Sequence, residues 1–250
     1  PIGLQWDEET LRRVAAICRR NDIVLVSDEI YGDMMLGGRR HIPTASVSPE
    51  AAEVTVTLGS PSKTFNIPGI VSAWTAVKSE RLREPFFKWL TASEFNAPPI
   101  AAMVATQSAY EGGGEWLDQA LEYLQANVDF MQDYLARELP QVKMYRPEAS
   151  FAVWLDFSAL GLPQESLVNL LVSRGRIALS DGISFGEPGR GFMRMNIGVP
   201  RSILRQGLDR LREAVAALDE KAGATVLAEA PHDIPFTKMQ GCGDDYIFIE

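Results

Sequence analysis

One lysine in this chain stands where a nucleophile is expected. Lys63 follows the apolar, strand-like run 54–58 and lies among small hydroxyl residues in the segment Ser60-Pro61-Ser62-Lys63-Thr64-Phe65-Asn66. A lysine amine attacks a carbonyl once it has lost its proton, which partial desolvation or a neighbouring cation promotes. Taken alone, the segment is explained better by a solvated lysine after a strand. The assignment therefore depends on residues elsewhere in the chain.

Two distant features favour the nucleophile. Asp28 follows the apolar run 23–26, and the carboxyl end of a buried parallel strand faces the ligand crevice of an α/β sheet. A carboxylate there can pair with the pyridinium nitrogen of pyridoxal phosphate (PLP), a cofactor that uses a lysine, and Tyr31 can donate to the ring oxygen. Arg194 lies in the apolar run 192–198, where a guanidinium typically binds a planar carboxylate. Together these residues indicate PLP chemistry.

The order of these residues carries a family resemblance. With Asp28, Tyr31, Lys63 and Arg194 in that sequence, the chain resembles the class I/II aminotransferase superfamily, the fold type I PLP enzymes, over roughly residues 1–220. The residue sequence of the Lys63 segment is most similar to that of the cystathionine β-lyase or cysteine C-S lyase branch. We therefore expect an enzyme with PLP as its cofactor and an amino acid as its substrate.

The resemblance also implies a role for each candidate residue. Lys63 is implied as the catalytic residue that forms the Schiff base with PLP, and Arg194 as the residue that binds the substrate α-carboxylate. The remaining candidates are implied contacts of the cofactor: Asp28 for the ring nitrogen, Tyr31 for the ring oxygen, and Ser60 and Ser62 for the phosphate.

The reaction expected from this branch is α,β-elimination of cystathionine or a related cysteine thioether to thiol, pyruvate and ammonia. One departure supports it: aminotransferases of the superfamily carry a phosphate-binding arginine two residues after the glycine that follows the lysine segment, whereas Gly69 is followed by Ile70 and Val71. Two alternatives stay open. One is an aminotransferase of amino-acid biosynthesis, including the diaminopimelate and lysine pathway, and the other is a catalytically silent regulatory domain with a PLP-type fold.

The elements that must position these residues alternate between strands and helices. Period-3.6 and strand-like patterns predict helices at 7–20, from Ser79, at 100–110, 115–137 and 163–173 and from Pro200, and strands at 23–26, 54–58, 72–77, 143–145, 151–156, 177–179 and 192–197. This pattern indicates an α/β protein with a mainly parallel sheet, and the resemblance identifies it as the C-terminal part of the fold type I fold. The predicted domains are part of a large PLP-binding domain (1–97), bridging helices with a small α+β domain (98–222), a linker (223–233) and a further module (234–250).

Composition excludes several other functions. The net charge of −9 and the absence of a basic patch argue against nucleic acid as a partner. No apolar run approaches the ~18 residues that a membrane span requires, so no membrane partner is expected. His41 and His232 have no neighbouring ligands in the sequence, which predicts no metal site. Two cysteines, Cys18 and Cys242, give no disulfide framework and favour the cytoplasm.

Both ends of the chain predict a segment of a longer polypeptide. The opening residues Pro1-Ile2-Gly3 match the end of an Asn-Pro-x-Gly turn in the superfamily, whose asparagine contacts the cofactor ring. Residues 234–249 resemble the first strand and turn of diaminopimelate epimerase, although its relatives usually have Asn where Asp244 stands. We therefore expect a fusion truncated at both ends. By resemblance, the full-length protein is expected to be a homodimer, because relatives build each site at a two-fold interface.

Overall fold

The computed structural model describes residues 2–219, together with the backbone of 236–241 and 244–249. The chain divides into two compact units. The first unit comprises residues 4–121 and 148–150, and the second comprises 122–147 and 151 onward, with the opening residues. The predicted boundary at 97/98 lies inside the first unit, and the predicted linker at 223–233 lies outside the described residues.

The first unit is built on a three-stranded sheet in the order β1-β2-β3. Strand β1 (Leu25–Asp28) runs parallel to β2 (Thr55–Gly59), and β3 (Trp74–Ala76) pairs with β2 in the antiparallel sense. These strands match the predicted ones to within two residues at each end. The helices of this unit are α1 (Glu8–Arg20), α2 (Pro49–Val54), α3 (Pro61–Thr64), α4 (Glu80–Ala92) and α5 (Ile100–Gly112), and α6 (Gly114–Glu138) continues into the second unit.

Local sequence explains why α1 begins and ends where it does. The carboxylate of Asp7 accepts a hydrogen bond from the Thr10 backbone N–H at 2.8 Å, which caps the helix. Acidic residues occupy its first turn and basic residues its last, as the helix dipole favours. Its apolar face buries Ala15 and Cys18 against Ala51 and Val54 of α2. This small cluster is a core of the first unit.

One prediction for the first unit is corrected. Strand β1 was expected to be a buried parallel strand, but it has one neighbour in the described sheet, and Val26 is 59% exposed. Burial on both faces needs covering elements that the described residues do not supply.

Helix α4 contains a proline. The helix begins at Glu80, so Pro85 lies in its second turn, where it removes an interior hydrogen bond.

The second unit is a four-stranded antiparallel sheet in the order β4-β5-β7-β6, accompanied by helices. Its elements are β4 (Lys143–Tyr145), β5 (Ala152–Asp156), α7 (Gln164–Ser173), β6 (Ser180–Asp181), β7 (Phe192–Asn196) and α8 (Arg201–Asp219). The strand predicted at 177–179 begins three residues later in the structure, because the chain pairs with β7 only at Ser180 and Asp181. No helix in the described part of the chain has the length and apolar character of a membrane span.

Near the C-terminus, β8 (Phe236–Gly241) pairs with β9 (Asp244–Ile249) in an antiparallel hairpin. This hairpin forms a sheet of its own and shares no strand pairing with the two larger sheets. The sequence predicted one strand and a turn in this region, whereas the structure has two strands, and residues 242–243 between them lie outside the described residues.

The second unit has the denser core. The largest fully buried side chains of the described residues all lie in it: Phe151, Phe157, Met131, Leu139, Leu155, Leu167, Leu171, Met193, Ile197, Leu204, Leu208 and Leu211. Asn127 lies in this apolar environment with 0% exposure. Its side-chain amide donates to the Ile197 carbonyl at 2.8 Å and to the Val199 carbonyl at 2.9 Å, so the polar group is fully used.

We predict that Asn127→Ala lowers the free energy of unfolding by about 2–3 kcal/mol, because two buried carbonyls lose their donor. Urea denaturation monitored by circular dichroism measures this change. Gln125→Ala is the matched control, since that side chain only pairs with Asp129 on the exposed helix surface, and its effect should stay within about 0.5 kcal/mol. Equal effects of the two substitutions would contradict the prediction.

Candidate active site

The parallel pairing of β1 and β2 fixes where the candidate residues meet. Asp28, the last residue of β1, lies opposite Leu58 of β2, and the next residue along, Glu29, donates its backbone N–H to the Leu58 carbonyl at 2.8 Å. Lys63 follows β2 in the short helix α3. Both strands therefore deliver their candidate residues at the same carboxyl edge of the sheet, as the sequence predicted.

The residues after β1 form a tight turn, here called the Asp28 turn (residues 28–34). The Asp28 carboxylate accepts a hydrogen bond from the Ile30 backbone N–H at 3.2 Å. Gly32 donates its N–H to the Glu29 carbonyl at 2.8 Å, and Met34 donates to the Tyr31 carbonyl at 2.9 Å. Asp28 is exposed, and its second oxygen has no hydrogen-bond partner among the described residues. That oxygen is open to a cationic ligand.

A direct hydrogen bond joins the Asp28 turn to the helix that carries Lys63. The Thr64 hydroxyl donates to the Asp33 carboxylate at 3.1 Å, and Thr64 is buried. Lys63, the adjacent residue, is half-buried. A side-chain bond between residues 31 positions apart therefore fixes α3 relative to the turn.

The two serines before Lys63 have different roles in the structure. Ser60 caps α3 by accepting from the Ser62 backbone N–H at 3.1 Å, and its own hydroxyl donates to the Ser72 carbonyl at 2.6 Å. The Ser60 and Ser62 hydroxyls lie 2.9 Å apart. Ser60 is buried and Ser62 half-buried, so of the two hydroxyls that of Ser62 is the more accessible. Both lie at the beginning of the helix that carries Lys63.

Sequence reasoning missed the aromatic wall that covers the end of β2. A Cβ atom on Gly59 would lie 2.2 Å from Cζ2 of Trp74, so the indole ring requires glycine at this position. The indole N–H of Trp74 donates to the Tyr110 hydroxyl at 2.9 Å. Burial raises the pKa of Tyr110, and the nearby Asp33 carboxylate adds to the effect against the indole hydrogen bond. The phenol therefore stays protonated at neutral pH.

A second close contact involves Phe65, two residues after Lys63. Its ring contacts Tyr110 edge-on at 5.6 Å and Trp116 at 6.2 Å between centroids. A Cβ atom on Gly113 would lie 2.4 Å from Cε1 of Phe65 and 2.5 Å from the Ala109 carbonyl oxygen. The middle glycine of the Gly112-Gly113-Gly114 run is thus a packing requirement and more than a break between helices.

No local sequence pattern indicates the partly buried pair of Glu29 and His41. Their Oε2 and Nε2 atoms lie 2.7 Å apart, and the other Glu29 oxygen accepts from the Thr44 backbone N–H at 2.9 Å and from the Ser27 hydroxyl at 3.0 Å. Burial by itself raises the pKa of the Glu29 carboxyl, but these hydrogen bonds, with that of His41 foremost, hold it below its ordinary value. Glu29 is therefore ionised at neutral pH.

Arg194 lies on β7 of the second unit. It stands opposite Trp154 on one neighbouring strand and Ser180 on the other. Its guanidinium lies 4.7 Å from the centre of the Phe185 ring, and that ring meets Trp154 edge-on. Arg194 is half-buried and has no carboxylate partner among the described residues. The Phe185 ring thus covers one face of the guanidinium, and the N–H groups at its edge stay available to a carboxylate ligand.

Comparison with known proteins identifies the family. A family model described as aminotransferase class I and II matches residues 1–211, and the chain belongs to this family. The match covers both units as far as α8 and every candidate residue. The hairpin β8–β9 lies beyond it.

Individual relatives show which members of the family the chain is similar to. The chain is 37% identical to cystathionine β-lyase PatB of Bacillus subtilis over 86% of its own length and 56% of that protein. Among solved structures it is similar to PLP-containing cystalysin of Treponema denticola (30% identity, TM-score 0.82, covering 87% of this chain and 55% of that one). It is also similar to the PLP-bound C-S lyase of Staphylococcus hominis (32% identity, TM-score 0.78, 85% and 54%). The chain spans slightly more than half the length of these relatives and has part of the fold type I fold.

We predict that the three neighbouring glycines differ in their tolerance of alanine. Gly113→Ala should lower the free energy of unfolding by about 1–3 kcal/mol, because the added methyl group collides with the Phe65 ring and a backbone carbonyl. Gly112→Ala and Gly114→Ala meet no atom within 4 Å and should be neutral or stabilise by up to about 1 kcal/mol. Urea denaturation of the three variants measures the difference, and a destabilised Gly112→Ala variant with a stable Gly113→Ala variant would contradict it.

Proposed function

We propose that the protein is a PLP-dependent carbon–sulfur β-lyase, which acts on cystathionine or a related cysteine thioether. The observation that carries the proposal is the hydrogen bond between Thr64 and Asp33, which joins the Lys63 helix to the Asp28 turn at one edge of the sheet. The names of the relatives support the branch, since PatB is a cystathionine β-lyase and the Staphylococcus protein is a C-S lyase.

The chemistry of the donor set fits PLP. Asp28 offers an exposed carboxylate with one oxygen open toward a protonated ring nitrogen, and Tyr31 follows in the same turn. Lys63 is half-buried and neighbours the half-buried hydroxyl of Ser62, which is suited to a phosphate oxygen. When bound, PLP supplies an electron sink for the carbanion that forms at the substrate α-carbon.

Three residues of the chain carry the proposed reaction. Arg194 binds the substrate α-carboxylate through its N–H groups and so orients the α-hydrogen. The Lys63 amine, once free of the cofactor, acts as a general base and takes the α-proton. The Asp28 carboxylate would stabilise positive charge on the ring nitrogen. Lys63 would return this proton to the sulfur as the Cβ–S bond breaks, so that a thiol leaves, and addition of water to the released enamine would give pyruvate and ammonia.

Ile70 and Val71 support elimination over amino transfer. Aminotransferases of the superfamily carry a phosphate-binding arginine at the position of Val71, and this chain has none there. An aminotransferase would share the binding steps but would need a keto-acid partner. The requirement for a keto acid therefore separates the two reactions.

Three further proposals concern the whole protein. Exposed apolar side chains on the first unit, such as Trp89, Phe95 and Ile100, support burial against a second copy in a homodimer. Cys18, a buried free thiol, supports a reducing cytoplasm. The separate hairpin β8–β9 supports a further module after α8, for which we propose the start of a diaminopimelate epimerase-like domain.

We predict that the full-length protein releases pyruvate from cystathionine without an added keto acid. Lys63→Ala should reduce this rate by about 10²- to 10⁴-fold, because the general base is lost. A coupled lactate dehydrogenase assay measures pyruvate. Lys78→Ala is the control, because Lys78 is an exposed lysine in the same unit and its loss should leave the rate unchanged. Amino transfer to a keto acid without spontaneous pyruvate release would establish the aminotransferase instead.

A further inference from the structure

The pair of Glu29 and His41 has no role in the proposed reaction steps. It is nevertheless partly buried and well hydrogen-bonded. The Glu29 side chain is 8% exposed and the His41 side chain 29%. Glu29 accepts hydrogen bonds from three groups, and both of its oxygens are used. Because an ionised carboxylate only accepts, the proton of this pair lies on Nε2 of His41. A carboxylate in such a place is costly to bury unless it is fully bonded.

Two of the three partners of Glu29 come from a different part of the chain than the turn it belongs to. His41 and Thr44 lie on the segment that leads into the 3-10 helix Thr44–Ser46. The Thr44 hydroxyl also lies 2.8 Å from that of Ser27, the residue before Asp28. The pair therefore clamps the start of the Asp28 turn to a second segment 12 to 17 positions away.

The His41 ring also packs against the middle of the turn. A Cβ atom on Gly32 would lie 3.0 Å from Cδ2 of His41 and 3.1 Å from the Glu29 carbonyl oxygen. A side chain at this position would have to displace the ring by a few tenths of an ångström. Glu29, Gly32 and His41 thus form one compact group, here called the Glu29 clasp.

The clasp forms part of the wall of two neighbouring cavities. One, of about 420 Å³, is also lined by Asp28 and Tyr31. The other, of about 370 Å³, is also lined by Asp33, Ser60 and Tyr110, and all three clasp residues line both. The clasp is therefore shared by the cavity that holds the two proposed ring contacts and the cavity beside Ser60.

The turn has two side-chain attachments, which act on opposite ends of it. The Asp33–Thr64 hydrogen bond ties its far end to the Lys63 helix, and the clasp ties its beginning to the segment 41–44. Without the clasp, the beginning of the turn would be held by backbone hydrogen bonds alone, such as that from Glu29 to the Leu58 carbonyl. We expect the two side-chain attachments together to limit movement of Asp28 and Tyr31 relative to α3.

We propose that Glu29 and His41 are positioning residues, whose buried pair holds the Asp28 turn so that Asp28 and Tyr31 meet the cofactor ring bound at Lys63. The identity of what the turn positions rests on the proposed function, whereas the clasp itself rests on the geometry of the first unit. A role as a metal site is excluded by the donor set, since no group of three or more His, Cys, Asp or Glu side chains in the described residues could hold an ion.

Hydrogen exchange of the turn amides tests the clasp without any cofactor. In the PLP-free full-length protein, Glu29→Ala and His41→Ala should accelerate exchange at Ile30, Gly32 and Met34 by about ten- to hundredfold, the equivalent of a lost hydrogen bond to a charged group. His41→Gln places an amide N–H near the position of Nε2 and should restore slow exchange. A purely steric role of the imidazole ring would not be rescued in this way.

Cofactor affinity tests the positioning. The dissociation constant of PLP, measured by titration of the same proteins, should rise about tenfold or more in Glu29→Ala and His41→Ala and stay in the wild-type range in His41→Gln. Asn127→Ala is the control for general destabilisation, because it removes buried hydrogen bonds in the second unit without touching the turn. Glu53→Gln is the control for loss of a carboxylate, since Glu53 accepts from Ser79 away from the turn. Neither control should alter the turn amides or PLP binding.

Each other outcome overturns a defined part of the inference. Unchanged exchange in Glu29→Ala, or equal acceleration in Asn127→Ala, would show that the clasp does not hold the turn. Faster exchange with wild-type PLP affinity would show that the turn is held for another purpose, and the positioning proposal would fall. If the wild-type protein bound no PLP, the proposed function would fail, while the exchange data would still decide whether the clasp holds the turn.

Discussion

The parallel pairing of β1 with β2 is the interaction on which the candidate site depends. It brings the ends of two strands that are 30 residues apart in the chain to one edge, with Asp28 opposite Leu58. A slip of one residue would turn every side chain of β1 to the opposite face of the sheet. The hydrogen bond from the Glu29 N–H to the Leu58 carbonyl continues the ladder past the strand end, so the register is fixed where the turn begins.

Beyond the strand ends, the site is held by side chains and by close packing against glycine. Thr64 binds Asp33, and Glu29 binds His41, so the turn is attached on both sides. Gly59 and Gly113 allow the Trp74 and Phe65 rings to approach the backbone more closely than any Cβ atom would permit. The backbone position around Lys63 is therefore restricted by packing against aromatic rings as much as by hydrogen bonds. Such packing leaves α3 little freedom to shift.

The second unit positions the Arg194 guanidinium so that its N–H groups stay available to a ligand. Arg194 sits on a strand whose alternate residues, Met193 and Met195, are buried in the core. Stacking on Phe185 stabilises its charge without using its N–H groups, which an acidic neighbour would occupy. The rigid core beneath the strand, including the fully bonded Asn127, keeps this geometry fixed.

The sequence by itself determined the elements and the candidate residues. Capping residues and apolar periodicity placed most helices and strands within about two residues, and the residue types around Asp28 and Lys63 indicated the candidate site. These signals are local, and parallel strands end at a common edge whatever surrounds them. Only the tertiary structure decided that β1 is half-exposed, that Gly59 and Gly113 are required by Trp74 and Phe65, and that Glu29 pairs with His41. Those features are contacts between distant residues, and no local pattern of residue types encodes which distant ring or imidazole will meet a given glycine or carboxylate.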